Sequence, residues 1–186
     1  MNNIITILLL SAFFGFTVKM ADLLNEHGLK LFKGSAFLFG MLWGLTGAFF
    51  ILSNNILSSF FLAILLHWIL RYRIDYINHG IAASIILITF FYNLPNFMMN
   101  WTVFLTIFVT YSFFGLLNDA SDRGDIRGKL SKIFKLNTHL IIVPLMLALL
   151  NSSYWIIAGS SILQIVFYDL TAKIGMRVVK KQTLIH

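Results

Sequence analysis

Residues 35–70 read SAFLFGMLWGLTGAFFILSNNILSSFFLAILLHWIL, and no Asp, Glu, Lys or Arg interrupts them. A helix that crosses a bilayer needs about 20 consecutive apolar residues. This block has room for two, and its one polar break is Ser53-Asn54-Asn55. No strand-like alternation appears in it, and a bilayer requires every backbone group to be paired internally. It therefore reads as a helical hairpin, residues 35–52 and 56–70, turning on three uncharged residues.

The same pattern extends in both directions. Further apolar spans are expected at residues 4–20, 80–92, 97–117, 133–150 and 154–170, which makes about seven helices, each near the length a bilayer demands. The fourth is short and the sixth contains Pro144, so six spans with a re-entrant segment is the alternative. With 59% hydrophobic and 11% charged residues, the chain cannot give itself a water-facing surface, for which about 25% charged is usual. The expected fold class is all-α: a polytopic helical membrane bundle forming a single domain over residues 1–186. Cysteine is absent, which excludes disulfides and thiolate metal sites.

Charge is distributed unevenly. The acidic residues are Asp22 and Glu26, then Asp75, then Asp119, Asp122 and Asp125, then Asp169. The basic residues fall in the same stretches, while the connections at 53–55, 93–96 and 151–153 carry no charge. All charge then gathers on one face of the membrane. The positive-inside rule assigns the loops at 21–34, 71–79 and 118–138 to the cytoplasm, with the amino terminus outside and the carboxyl terminus inside, in the plasma membrane. The first apolar run, Ile4 to Val18, has no basic segment before it and reaches Lys19 only afterwards; it reads as an uncleaved span, not a signal peptide. The net charge of +7 is explained by anchoring on anionic lipid, so nucleic acid is not an expected partner. A homo-oligomer is compatible with the sequence.

Several local signals concern packing. Gly40 and Gly44 are spaced to let one helix approach another closely. Trp101, Tyr154 and Trp155 fall where an outer aromatic belt would lie. Lys129, Lys132 and Lys135 alternate with Leu130, Ile133 and Phe134, which suits a short helix in the interface. The stretch from Asp22 to Gly28 also resembles Asp75 to Gly80, a faint internal repeat.

Chemistry can occur only where the charges are. In Asn118-Asp119-Ala120-Ser121-Asp122-Arg123-Gly124-Asp125-Ile126-Arg127-Gly128, a continuing helix puts Asp119 and Asp122 one turn apart, and Gly124 would turn Asp125 back. Hard oxygen ligands of this kind suit Mg2+ shared with substrate phosphates. Arg71, Arg123, Arg127 and Lys129 are the expected phosphate contacts. Asp22 and Glu26, one turn apart and followed by His27, would hold a second metal or accept a proton. His67, Arg71, Asp75 and His79 recur every four residues and would line one helical face, suited to proton transfer. Asp169 is expected to pair with Lys173.

The 118–128 segment resembles the aspartate-rich motifs of the intramembrane aromatic prenyltransferase superfamily, the ubiquinone- and menaquinone-pathway type. That resemblance implies metal roles for Asp119, Asp122 and Asp125 on a prenyl diphosphate, with Asp22 and Glu26 standing in for the second motif. The third aspartate is one residue closer than in that pattern, and the resemblance covers about a dozen positions. The same loop resembles, to an equal extent, the Asp-Asp segment of polyprenyl-phosphate sugar-phosphate transferases, which share the theme of magnesium and a phosphorylated lipid. The expectation is a magnesium-dependent membrane enzyme acting on a phosphorylated or diphosphorylated lipid at the cytoplasmic face, with prenyl transfer its most specific form. The alternative is a small transporter using the same carboxylates and histidines, although Gln164, Thr46 and Ser112 are the chief polar groups placed deep in spans. A scaffolding subunit is the third reading.

Overall fold

A computed structural model describes residues 3–135 and 138–184. They form eight α-helices and two short 3-10 turns, with no strand among the described residues: α1 Ile4–Asn25, α2 Ser35–Ser53, α3 Asn55–Leu70, α4 Ile77–Asn93, α5 Trp101–Arg123, α6 Gly128–Lys135, α7 His139–Leu150 and α8 Trp155–Thr183. Among these residues, α1, α2, α4 with its following turn, α5, and α8 with its preceding turn are long and apolar enough to cross a membrane. The bent pair α6 and α7 adds a sixth span if taken together. The expected span at 56–70 is α3, which has only 16 residues. It sits at the centre of the bundle, with Leu57, Phe60, Ala63 and Leu65 essentially inaccessible, as suits a helix apolar on every side.

Three pairs of helices run side by side in the same direction, and small residues decide each approach. On α2, Gly40 faces the backbone of Asn78, Gly44 faces Ala82, and Gly47 faces Ile86, all on α4. On α1, Gly15 meets the Gln164 carbonyl of α8, while Gly159 and Gly175 of α8 receive Leu8 and Leu23. The α3–α5 pair runs from Ser59 with Asn100 to Arg71 with Asp119. Lipid tails are as apolar as leucine, so close packing of this kind holds helices together in a bilayer. The expectation for Gly40 and Gly44 is met.

The helices extend past their apolar segments at the charged end. α1 continues to Asn25, α5 to Arg123 and α8 to Thr183, and α4 begins at Ile77. Asp22, His79, Asp119 and Asp122 are therefore helical. Pro144 lies inside α7 and has no N–H to give to the carbonyl of Leu140. That freed carbonyl accepts from the hydroxyls of Tyr111, at 2.9 Å, and of Ser161. The proline thus ties α7 to α5 and α8.

The proposed single stripe of His67, Arg71, Asp75 and His79 is not one helical face. α3 ends at Leu70, and Tyr72 takes a left-handed conformation with φ of 54°. The Tyr72 N–H reaches Ile69 and the Arg73 N–H reaches Trp68, the paired closure of a Schellman turn. The four residues instead form two pairs, His67 with Arg71 and Asp75 with His79. The resemblance between Asp22–Gly28 and Asp75–Gly80 has no structural counterpart either: Asp22 lies inside α1, whereas Asp75 precedes α4 in a loop.

Candidate metal and phosphate site at the charged end

A cavity of about 650 Å³ opens between the helices at the charged end. Its α1 wall runs from Phe14 to Glu26, roughly 18 Å at the helical rise per residue. Inside it is aromatic: Phe14 lies edge-on to Trp43 and Phe61, and Trp43 lies edge-on to Trp68. Its mouth carries Asp22, Glu26, Arg71, Arg73, Asp75 and Lys135.

Asp22, Glu26 and His79 each offer a ligand atom, all within 4.8 Å of one another, and they are the one such group among the described residues. His79 is 5% exposed, and its orientation is over-determined. Asn78 is wholly buried opposite Gly40 and donates to the carbonyl of Ala21 at 3.1 Å, so the first turn of α4 is fixed against α1. Nδ1 of His79 lies 3.2 Å from the Arg73 carbonyl and 3.0 Å from an Asp75 oxygen. Both neighbours only accept, so Nδ1 carries the hydrogen. Nε2 lies 3.2 Å from Oδ1 of Asp22, so a protonated ring pairs with Asp75 on one side and Asp22 on the other, whereas a neutral ring would offer Nε2 to a cation shared with Asp22 and Glu26. The place between Nε2 and Asp22 is thus filled by a proton in the one state, and a metal ion drawn by Asp22, Glu26 and the ring would take it in the other. Carboxylate to imidazole to ion is the usual construction around a metal-ligating histidine.

The other oxygen of Asp22 is already held. Tyr168 donates to Oδ2 at 2.8 Å, and Lys19, itself buried, lies 3.2 Å from the Tyr168 hydroxyl and 3.5 Å from Oδ2. Oδ1 is thereby aimed toward His79 and Glu26. Burial raises the Glu26 carboxyl above its ordinary pKa, and the negative charges of Asp22 and Asp75 raise it further, against His79 and Lys19.

The aspartates of the 118–128 motif do not gather. Asp119 accepts from Arg71 Nε at 2.8 Å and Nη2 at 2.7 Å, and also from Arg73. Arg71 reaches it through the space left by Gly115, where a Cβ would sit 2.5 Å from the guanidinium. Asp122 pairs with Lys135 at 3.2 Å and Asp125 with Arg123 at 3.0 Å, both well exposed. Gly124 does turn the chain, with φ of 86°, but Asp125 then returns only as far as Arg123. Each motif carboxylate is thus neutralised by side chains. Of the expected phosphate contacts, Arg123 is engaged with Asp125, Arg127 donates to the Gly124 carbonyl, and Lys129 is exposed on α6. Arg71, Arg73 and Lys135 are the cations on the cavity wall. Asp169 also lines it and makes no ion pair with Lys173 among the described residues.

Arg71 and Asp119 form a nearly enclosed bidentate pair, with side chains 11% and 12% exposed. Removing one partner of such a pair strands the other charge, at a cost of about 3–5 kcal/mol. Asp119→Ala should lower stability by an amount of that order, measured as the unfolding midpoint in mixed micelles. Asp125→Ala breaks a solvated pair and should cost less than ~1 kcal/mol. Equal effects of the two would contradict this geometry.

No family model, curated protein or solved structure matches this chain.

Proposed function

We propose that the protein is a membrane enzyme acting on a phosphorylated lipid, with a divalent cation held by Asp22, Glu26 and His79 at the mouth of the cavity. The observation that carries this is the convergence of ligand atoms from Asp22, Glu26 and His79 within 4.8 Å of one another, with Asp22 and Glu26 on the cavity wall. Arg71 and Arg73, which pair with Asp119, and Lys135, which pairs with Asp122, line the cavity and would turn their remaining N–H donors to phosphate oxygens that the cation does not hold. The aromatic interior would take the apolar part of the lipid. Two carboxylates and one imidazole suit magnesium less well than an all-oxygen set, and manganese better. Such an ion neutralises phosphate charge and polarises the phosphoryl group. Tyr168 and Lys19 would hold Asp22 in position, and Asp75 would fix the tautomer of His79.

The transporter alternative needs polar groups continuing toward the uncharged end. Ser11, Thr46 and Thr89 there give their hydroxyls to carbonyls of their own helices; the hydroxyls of Ser112 and Ser160 and the amide of Gln164 are buried without a partner, but no carboxylate or cation accompanies them, which favours ionic chemistry at the charged end.

The test is thermal stability of the detergent-solubilised protein with Mn2+ or Mg2+, with and without a lipid phosphate. A ligand at 100 times its dissociation constant stabilises by about 2.7 kcal/mol, and metal with lipid phosphate together should exceed either alone. If a monovalent cation alone reproduces the shift, the transporter reading replaces this one. Titration with pH adds a signature. In the metal-free protein the raised Glu26 carboxyl contributes stability that is full below its ordinary value and lost as pH rises through its raised one. Metal binding must displace that proton, so metal stabilisation should change the opposite way, falling on acidification from a higher pH than an ordinary carboxylate would give. Glu26→Gln should remove both trends.

A further inference from the structure

The cavity interior is not uniformly apolar. Nε1 of Trp43 and Nε2 of Gln164 are buried without a hydrogen-bond partner, and both residues line the cavity. His139 lines it too, 8% exposed, with its ring against Tyr111 and Phe114. These three come from α2, α8 and α7, yet they border one space. A buried donor left unpaired costs about 1–3 kcal/mol, so filling this cavity with plain hydrocarbon would leave the cost in place at Trp43 and Gln164.

Their depth is informative. The Gln164 backbone abuts Gly15, which precedes Asp22 by two turns of α1, about 10 Å deeper than the metal group. Trp43 lies between, its ring 5.4 Å from that of His79. From the mouth inward, the order is cation and phosphate contacts, then N–H donors, then aromatic and aliphatic walls.

Resting on the proposed lipid-phosphate reading, we infer that the cavity takes a phosphorylated diacylglycerol, whose ester carbonyls accept from Trp43 Nε1 and Gln164 Nε2. Such a lipid carries its acceptor oxygens a few bonds below the phosphate, in the order the cavity presents. A polyprenyl phosphate has no acceptor beyond its phosphate and would leave both donors unpaired. The inference therefore selects against the prenyl form of the function.

The experiment compares binding to the full chain in detergent, by native mass spectrometry with Mn2+ present. The probes are a diacyl phosphatidate, its dialkyl ether counterpart of equal chain length, and a polyprenyl phosphate. One to two restored hydrogen bonds correspond to a preference of about 10-fold for the ester over the ether. Trp43→Phe and Gln164→Leu should each reduce that preference. Gln164→Leu should also leave the unfolding midpoint unchanged or raise it, since it removes an unpaired polar group. Equal binding of ester and ether lipids, or a preference kept intact in both variants, overturns the inference. A parallel pair, diacylglycerol and dialkylglycerol, separates the two readings. Ester preference there without any gain from phosphate and metal would sink the phosphate site and leave the carbonyl site standing. Phosphate- and metal-dependent binding without ester preference would do the reverse.

Discussion

Gly15→Ala is expected to be among the most damaging single substitutions in the chain, although it adds one methyl group. A Cβ at Gly15 would lie 2.0 Å from the Gln164 carbonyl oxygen and 2.8 Å from its Cα. Those atoms are backbone of α8 and cannot rotate away, so the two helices must separate. Overpacking usually costs about 1–3 kcal/mol; here the upper end or beyond is expected, because α1 and α8 are in register from Leu8 with Gly159 to Leu23 with Gly175. The same displacement would pull Asp22 from Tyr168, so metal binding should weaken along with the unfolding midpoint. Gly80→Ala is the control. Nothing lies within 4 Å of its Cβ position, it is inside α4, and alanine is favoured over glycine in a helix by about 1 kcal/mol. That variant should be neutral or slightly stabilised. A Gly15→Ala protein as stable as wild type would mean that α1 and α8 do not meet as closely as described.

The apolar spans were legible because their signal is long and redundant: twenty residues without charge allow few other readings. So was the gathering of charge, since it follows from uncharged connectors at alternate turns. Helix ends were harder. The sequence reading stops helices where hydropathy falls, but Asp22, His79 and Asp119 continue the helices because partners on other helices satisfy them there. Asp119 is an instructive failure. Its spacing with Asp122 is helical, as expected, yet a helical spacing says nothing about Arg71, which comes from another helix through a gap left by Gly115. The motif's carboxylates have neighbours that are closer in space than in sequence, and those neighbours are cations.

The opposite happened at Asp22. Its closeness to Lys19 was readable from the spacing; the sequence reading groups Asp22 and Glu26 with His27, and His79 separately with His67, Arg71 and Asp75. That His79 would stand against Asp22 was not readable, because it depends on Gly40 admitting Asn78 beside Ala21. Tyr168 and His139 left no signal at all. A tyrosine near the end of an apolar run looks like an interfacial anchor, and a histidine after a lysine-rich helix looks like part of the flank. Only the bundle shows that each faces the cavity.

Asp22→Asn should abolish high-affinity Mn2+ binding, and this separates the two sets of carboxylates most sharply. The substitution keeps the volume and still lets Tyr168 donate to an oxygen, so the fold around it should persist. It removes the anionic ligand and the charge that draws an ion toward His79. Substituting a residue that hydrogen-bonds a metal ligand commonly costs about 10–100-fold in metal affinity, and loss of a ligand should cost at least the upper figure. Asp75→Asn, which leaves the ligands but loosens the tautomer of His79, should fall inside that range. Asp122→Asn with Asp125→Asn should leave affinity within about 3-fold, the effect of modest long-range charge at a solvated surface. Calorimetric titration of the solubilised protein with Mn2+ would read all of these. If the Asp122/Asp125 variant loses the metal while Asp22→Asn keeps it, the ion belongs to the aspartate-rich loop, and the prenyltransferase-like reading of that loop takes precedence. If Asp22→Asn alone loses it, the ion sits where the ligand atoms of Asp22, Glu26 and His79 converge, in place of the proton that a charged His79 would share with Asp22.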